Sequence, residues 1–190
     1  MPIVMHLGKN INDYREKSKE IIEKALSKGE ILCEFCLKEM LYHSNYSRNI
    51  KETGEELTII MVGCRACDNW HSLQPDFLLP HKHYSGNEIE NVIIESATEP
   101  IISIETMASL STVIRWIEQI GERIIGAIGK LKILFKQVGT VISEIAINPG
   151  HCYSELEQTL ELAPLDLKYS GNKLGLANIW LRKTEMPIFI

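Results

Sequence analysis

The sequence predicts an α+β protein in which a small zinc-bearing β-hairpin unit precedes a mainly helical region. Three observations carry this expectation. Two Cys-x-x-Cys pairs, Cys33/Cys36 and Cys64/Cys67, are separated by 27 residues, enough for a hairpin to return one pair to the other. Directly ahead of the second pair, Leu57-Thr58-Ile59-Ile60-Met61-Val62 has the β-branched content of a strand. Beyond residue 85 the apolar residues recur at helical spacing. The 190 residues divide on this reading into an N-terminal packing helix (1–29), a zinc ribbon (30–80), a helical domain (81–147) and an unassigned C-terminal segment (148–190).

In chain order, Asn12 or Asp13 is placed to cap a helix running to about Lys28. Tyr14, Ile21, Ile22, Ala25 and Leu26 lie on one side of it, and Gly29 is its stop. Lys51-Glu52-Thr53-Gly54-Glu55 is a turn cluster between the two strands of the hairpin. Pro75 and Pro80 punctuate the segment from Asp76 to Tyr84, which predicts an extended connector across the surface. Ser85 to Glu88 has capping-box spacing and opens a helix with Ile89, Val92, Ile93 and Ala97 inward. Ser103 is placed to cap a short helix through Met107.

From Ser109 or Ser111 onward, Leu110, Ile114, Ile117, Gly121, Ile124, Ile128, Leu131, Phe135, Val138, Ile142 and Ile145 form a heptad-like stripe. Gly121, Gly126, Gly129 and Gly139 each cost ~1 kcal/mol against alanine inside a helix, so the stripe is expected to split into two or three helices. Ser154 to Glu157 repeats the capping-box spacing ahead of a helix ending near Ala163. Leu174 to Ile190 has no period.

Two Cys-x-x-Cys knuckles facing each other make a closed tetrahedral sulfur site, so Cys33, Cys36, Cys64 and Cys67 are the predicted ligands of one structural Zn²⁺. Four ligands leave no open position for an activated water. Spacing unlike that of ferredoxins favours zinc over an iron–sulfur cluster. His43, His71, His81 and His83 are expected to be surface or hydrogen-bonded histidines. His81 and His83 alternate in an extended segment and so point apart.

The formal net charge of -5 and the pI near 5.7 provide no general attraction to nucleic acid. Met1 to Gly8 lacks the basic region of a signal peptide, and the charges between Ile117 and Ile145 are too many for a membrane span. A cytoplasmic protein is expected, with no membrane partner. Neither a Walker loop, a dinucleotide fingerprint, a nucleophile elbow nor a nuclease-like acidic triad is present, and no enzyme activity is expected.

The run Cys64-Arg65-Ala66-Cys67-Asp68-Asn69-Trp70-His71-Ser72-Leu73-Gln74-Pro75-Asp76-Phe77-Leu78-Leu79-Pro80-His81-Lys82-His83-Tyr84-Ser85 resembles a family of uncharacterised bacterial zinc-ribbon proteins. That family is similar to the amino-terminal recognition part of insertion-sequence transposases, without a required nuclease domain. The resemblance covers about Ile31 to Ile120. It implies a helix-turn-helix-like segment after the ribbon, with Ser109-Leu110-Ser111-Thr112-Val113-Ile114-Arg115-Trp116 as the start of its recognition helix. The implied DNA contacts are Ser111 and Thr112 to phosphate and Arg115 to a base or phosphate, with Trp116 in the core. Gln74 and His81 depart from the family phrase, where leucine and tyrosine are usual.

Residues 71–108 carry one lysine against six acids, whereas 109–136 carry Arg115, Arg123, Lys130, Lys132 and Lys136 against Glu118 and Glu122. Only the second segment is suited to face phosphate. DNA is therefore the expected partner, bound weakly by a monomer and better by a homodimer or with a protein partner. The competing reading is a zinc-stiffened adaptor that uses its apolar helical seam to join another chain.

Overall fold

The computed structural model describes residues 2–137, 152–163 and 172–182. It is an α+β fold with a four-stranded mixed sheet in the N-terminal half and helices mainly after it. Strand β1 (Ile3–Met5) leads into helix α1 (Ile11–Ser27); β2 (Leu41–Asn49), β3 (Glu56–Gly63) and β4 (Trp70–Pro75) follow. The sheet order is β1-β4-β3-β2: β2, β3 and β4 run antiparallel, and β1 adds in parallel to β4. Hairpin β2–β3 runs from one cysteine pair to the other, as the β-branched run and the turn at Lys51 to Glu55 predict. Strand β1 is too short to leave a sequence pattern.

Helix α1 is capped by Asn10, whose side chain accepts from the Asp13 backbone N–H, rather than by Asn12 or Asp13. It buries Tyr14, Ser18, Ile22 and Ala25. Gly29, at φ +66°, stops it; this left-handed conformation is nearly free of cost only for glycine. Tyr14 donates its hydroxyl to the Thr58 carbonyl at 2.8 Å, fixing α1 over one face of the hairpin.

Helix α2 (Gly86–Glu95) starts at the predicted cap, the Ser85 hydroxyl accepting from the Glu88 N–H at 3.2 Å. Only half of the capping box forms. Glu88 turns instead to the Thr106 hydroxyl and the Met107 N–H, while the Ser85 N–H donates to Glu52. Residues 96–109, with a 3-10 turn at Ile101–Ser103, join α2 to α3 (Leu110–Gln137). Ser103 ends that turn rather than capping a helix. The connection is far longer than the three or four residues of a helix-turn-helix.

Helix α3 is one continuous element of 28 residues despite Gly121, Gly126 and Gly129. Its buried face is Val113, Trp116, Ile120, Ile124, Ala127, Ile128, Leu131 and Phe135. The predicted stripe agrees from Ile124 onward but fails toward the amino end, where Leu110 is 51% and Ile114 39% exposed. An α-helix drifts about 20° per heptad from a strict seven-residue repeat. The observed steps of three, four and four residues follow the eleven-residue pattern of a nearly straight helix. Val138, Ile142, Ile145 and Gly139 lie outside the described residues.

Helices α4 (Cys152–Glu161) and α5 (Lys173–Leu181) pack on α3, so Ser154 lies inside a helix rather than capping one. Together with α2 they form a hydrophobic cluster containing Trp116, Phe135, Leu160 and Trp180. A second cluster lies around the sheet and contains Ile3, Ile22, Ile59, Leu73, Cys33 and Cys64.

The segment predicted to cross the surface joins these clusters instead. Pro75 through Pro80 are all buried; Phe77 and Leu78 enter the sheet cluster and Leu79 the helical one. Its backbone is satisfied there, Asp76 N–H donating to Met5 and Phe77 C=O accepting from Gly86. Three consecutive apolar residues outweighed the punctuation of the two prolines. No helix among the described residues is long and apolar enough to cross a membrane.

Candidate functional site

The two Cys-x-x-Cys turns share one backbone design. In the first, Cys33 N–H donates to the Lys38 carbonyl and Leu37 N–H to the Cys33 carbonyl; in the second, Cys64 N–H donates to Asn69 and Asp68 N–H to Cys64, each at 2.9 Å. Leu37 and Asp68, each following the second cysteine of its pair, adopt φ of 58° and 55°. A side chain in this left-handed region costs about 1–2 kcal/mol, so both turns are held in a conformation that local preference disfavours. The hairpin then brings the turns face to face.

All four Sγ atoms lie within 4.8 Å of one another. Cys33 to Cys67 and Cys36 to Cys67 are 3.5 Å apart and Cys36 to Cys64 is 3.4 Å. These separations are far too long for a disulfide. They approach the ~3.8 Å edge of a tetrahedron whose centre lies 2.3 Å from each sulfur. The four cysteines therefore stand close enough to hold a metal ion, as the spacing predicts.

The thiols do not share protons evenly. Asn69 donates its side-chain amide to Cys67 Sγ at 3.2 Å and pulls that thiol down to about 6. At Cys36 the Lys38 backbone N–H favours the thiolate, but the Cys64 thiol, burial and the other two thiols outweigh it and push the group up to about 12. A bound metal resolves this asymmetry by taking all four as thiolates.

His71 was missed by sequence reasoning as a member of this site. Its side chain is fully buried, with Nε2 3.9 Å from Cys33 Sγ and Nδ1 3.9 Å from Glu34 Oε2. Glu34 Oε1 in turn accepts from Arg182 Nε at 3.0 Å, and Arg182 also donates to the Leu32 carbonyl. Two cation-capable groups thus back the first knuckle, one from β4 and one from the end of α5. The alternation of β4 held the signal for His71: it shares a face with buried Leu73. His43, His81 and His83 are exposed.

The predicted DNA contacts fall in the first turns of α3. Ser111 and Arg115 are exposed and Thr112 is half-buried. Ser109 Oγ lies 3.1 Å from Ser111 Oγ and 2.9 Å from Thr112 Oγ1, so the three hydroxyls form one cluster. Trp116 is buried, with its ring edge-on to Tyr84. Ile114, expected inward, is exposed.

The structure adds Lys82 to this region. Burial, and then the charges of Arg123 and Arg115, hold its ammonium below the usual lysine range. Lys82 therefore lies within electrostatic reach of both arginines, which stand just over two turns apart on α3. Arg48 supports the loop that presents Lys82. Its largely buried guanidinium donates to the carbonyls of Leu79 and Lys82 and to Gln74 Oε1, while His81 takes φ of 61° to close the turn. No local sequence pattern links Arg48 or Lys82 to Arg115.

Residues 33–116 match the model of a family described as a domain of unknown function (DUF6431). The matched stretch holds all four cysteines, His71, Lys82, Ser111, Thr112 and Arg115, and it ends before Arg123. No curated protein and no solved structure matches the chain.

Proposed function

We propose that the chain is a zinc-stabilised nucleic-acid-binding module that recognises duplex DNA through the face formed by Lys82, Arg115 and Arg123. The exposed Arg115 and Arg123 on one helix, with Lys82 near enough to feel their charges, carry the reading. Ser111 and Thr112, near Arg115 on α3, would serve as hydrogen-bonding partners for phosphate, and Arg115, one turn along the helix and exposed, is the candidate for a base contact. Four thiolates in a tetrahedral arrangement favour zinc, and a site closed by four sulfurs has a structural rather than a Lewis-acid role. The resemblance to transposase recognition modules points the same way. Glu118 and Glu122 on α3 limit the number of phosphates the face can neutralise, so binding is weak and its salt slope reflects only the few counterions released.

The adaptor reading needs an available apolar seam on α3; among the described residues the helix's main apolar face is buried against α2, α4 and α5, which leaves only exposed residues such as Leu110, Ile114 and Ile133 for a partner. The test is a salt titration of duplex binding by zinc-loaded protein. Arg115→Ala and Lys82→Ala should each reduce the magnitude of the log K against log salt slope by about one unit if the residue contacts phosphate. If Arg115 instead reads guanine, the loss should be about 1–3 kcal/mol and confined to cognate sites. Wild-type protein that binds no duplex even at low salt would overturn the proposal.

A further inference from the structure

Helix α1 packs on one side of the sheet, and on the other, beside the metal site, the start of β4 stays accessible. Trp70, Ser72 and Gln74 alternate onto this second face, Trp70 exposed, Ser72 half-buried and Gln74 buried, with Trp70 and Ser72 in register with Gly63 and Met61 of β3. Gly63 is the position that shapes it. A Cβ there would lie 3.3 Å from Trp70 Cδ1 and 3.6 Å from His43 Cβ, so its absence leaves room for the indole to reach across β3. Trp70 stacks on His43 of β2 with centroids 4.4 Å apart and planes 23° from parallel. The indole is thus backed by a second ring and fixed in orientation, yet Trp70 remains 54% exposed.

On the same face a line of contacts runs from Ser72 and Tyr46 to the loop that carries Lys82. Gln74 Nε2 lies 3.3 Å from Ser72 Oγ and 3.4 Å from the Tyr46 hydroxyl, and Tyr46 is 39% exposed. Arg48 donates to Gln74 Oε1 at 3.1 Å and also to the Lys82 carbonyl, which places the Lys82 loop at the far end of the same surface. The exposed rings of Trp70 and Tyr46 therefore lie along this face, and the Lys82 loop, within electrostatic reach of Arg115 and Arg123, lies at its far end. Single-stranded nucleic acid is recognised by this combination, bases stacking on rings while the backbone follows positive charge. Bases inside a duplex have both faces covered by their neighbours, so only an unpaired base can offer one to Trp70.

We propose that the exposed Trp70 end of this sheet face is a stacking site for an unpaired nucleobase, with Trp70 backed by His43 as its platform, so that the protein recognises a duplex bearing a single-stranded extension. This rests on the nucleic-acid reading above and specifies its substrate class.

The test compares a blunt duplex with the same duplex carrying a short oligo-dT overhang, both titrated into zinc-loaded protein. The overhang should tighten wild-type binding by about tenfold or more per stacked base. Trp70→Ala should remove that gain and leave blunt-duplex affinity unchanged, while Trp70→Phe should retain part of it. Tryptophan fluorescence gives an independent readout. Of the three tryptophans, Trp116 and Trp180 are buried, so quenching by the overhang reports on Trp70.

Equal affinity for both duplexes, or no quenching, would overturn the stacking site while leaving duplex recognition standing. Loss of blunt-duplex affinity in Trp70→Ala with zinc content intact would also overturn it, since Trp70 would then support the fold or the duplex site. Absence of binding to either DNA would overturn both proposals.

Discussion

The sheet half and the helical half of this protein hold their interiors by different means. In the sheet half the hydrophobic cluster includes two of the four metal-ligand candidates, Cys33 and Cys64, and both knuckles carry a non-glycine residue in the left-handed region. Burial there is tied to a polar centre that is repulsive until a metal joins it. In the helical half a single helix lays eight buried residues against α2, α4 and α5, and the core is closed mainly by apolar contact. The first half should fail through chemistry and the second through packing.

Removing the metal should have the largest effect. Structural zinc sites contribute about 10–16 kcal/mol to small domains near neutral pH. Cys64→Ser or a strong chelator should therefore unfold at least residues 31–70, seen as loss of strand signal in circular dichroism with much of the helical signal kept. Fully folded protein with substoichiometric metal would remove the distinction between the halves.

Ile128→Asp tests the opposite half. Ile128 has no solvent exposure, and an unpaired carboxylate in a dry core costs several kcal/mol. The thermal midpoint should fall steeply while the zinc content of the folded fraction stays at one per chain. An unchanged midpoint would show that α3 is not held by burial.

The smallest effect belongs to a buried polar joint within the helical half. Glu90 accepts from the Tyr153 hydroxyl, the Asn172 amide and the Lys173 N–H, tying α2 to α4 and α5. Burial raises its carboxyl above the ordinary value of 4.5. The folded state thus holds this proton more tightly than the unfolded chain. The associated stability is fully present below the unfolded value and is lost as pH rises through the raised folded value. Glu90→Gln should abolish that dependence, at most about 1.4 kcal/mol per pH unit, in denaturant titrations above pH 4.5. An unchanged slope would place the proton elsewhere.

Local chemistry made the metal cluster, the hairpin and the start of α2 legible in the sequence. A Cys-x-x-Cys pair, a β-branched run and a serine cap each act within a few residues. Features that depend on tertiary contact were not legible. Helix α5 buries Leu174, Leu176, Ala177, Trp180 and Leu181 on several sides, and even Asn178 is inside; a helix enclosed all round has no amphipathic period to read. Heptad reading lost the amino end of α3 because a straight helix drifts out of that frame. His71, Arg48 and Lys82 acquire their roles from residues far away in the chain.

Gly175 has a consequence that concerns time rather than energy. Any Cβ at this position would overlap the carbonyl oxygen of Asp76, so α5 closes directly onto the end of β4. About a hundred residues separate the two, and at ordinary synthesis rates they take about 5–20 s to emerge. Until then Phe77, Leu78 and Leu79 have no lid from α5. During translation the joint between β4 and α5 is therefore among the last contacts to close, and Leu79 waits for its α5 neighbours until then.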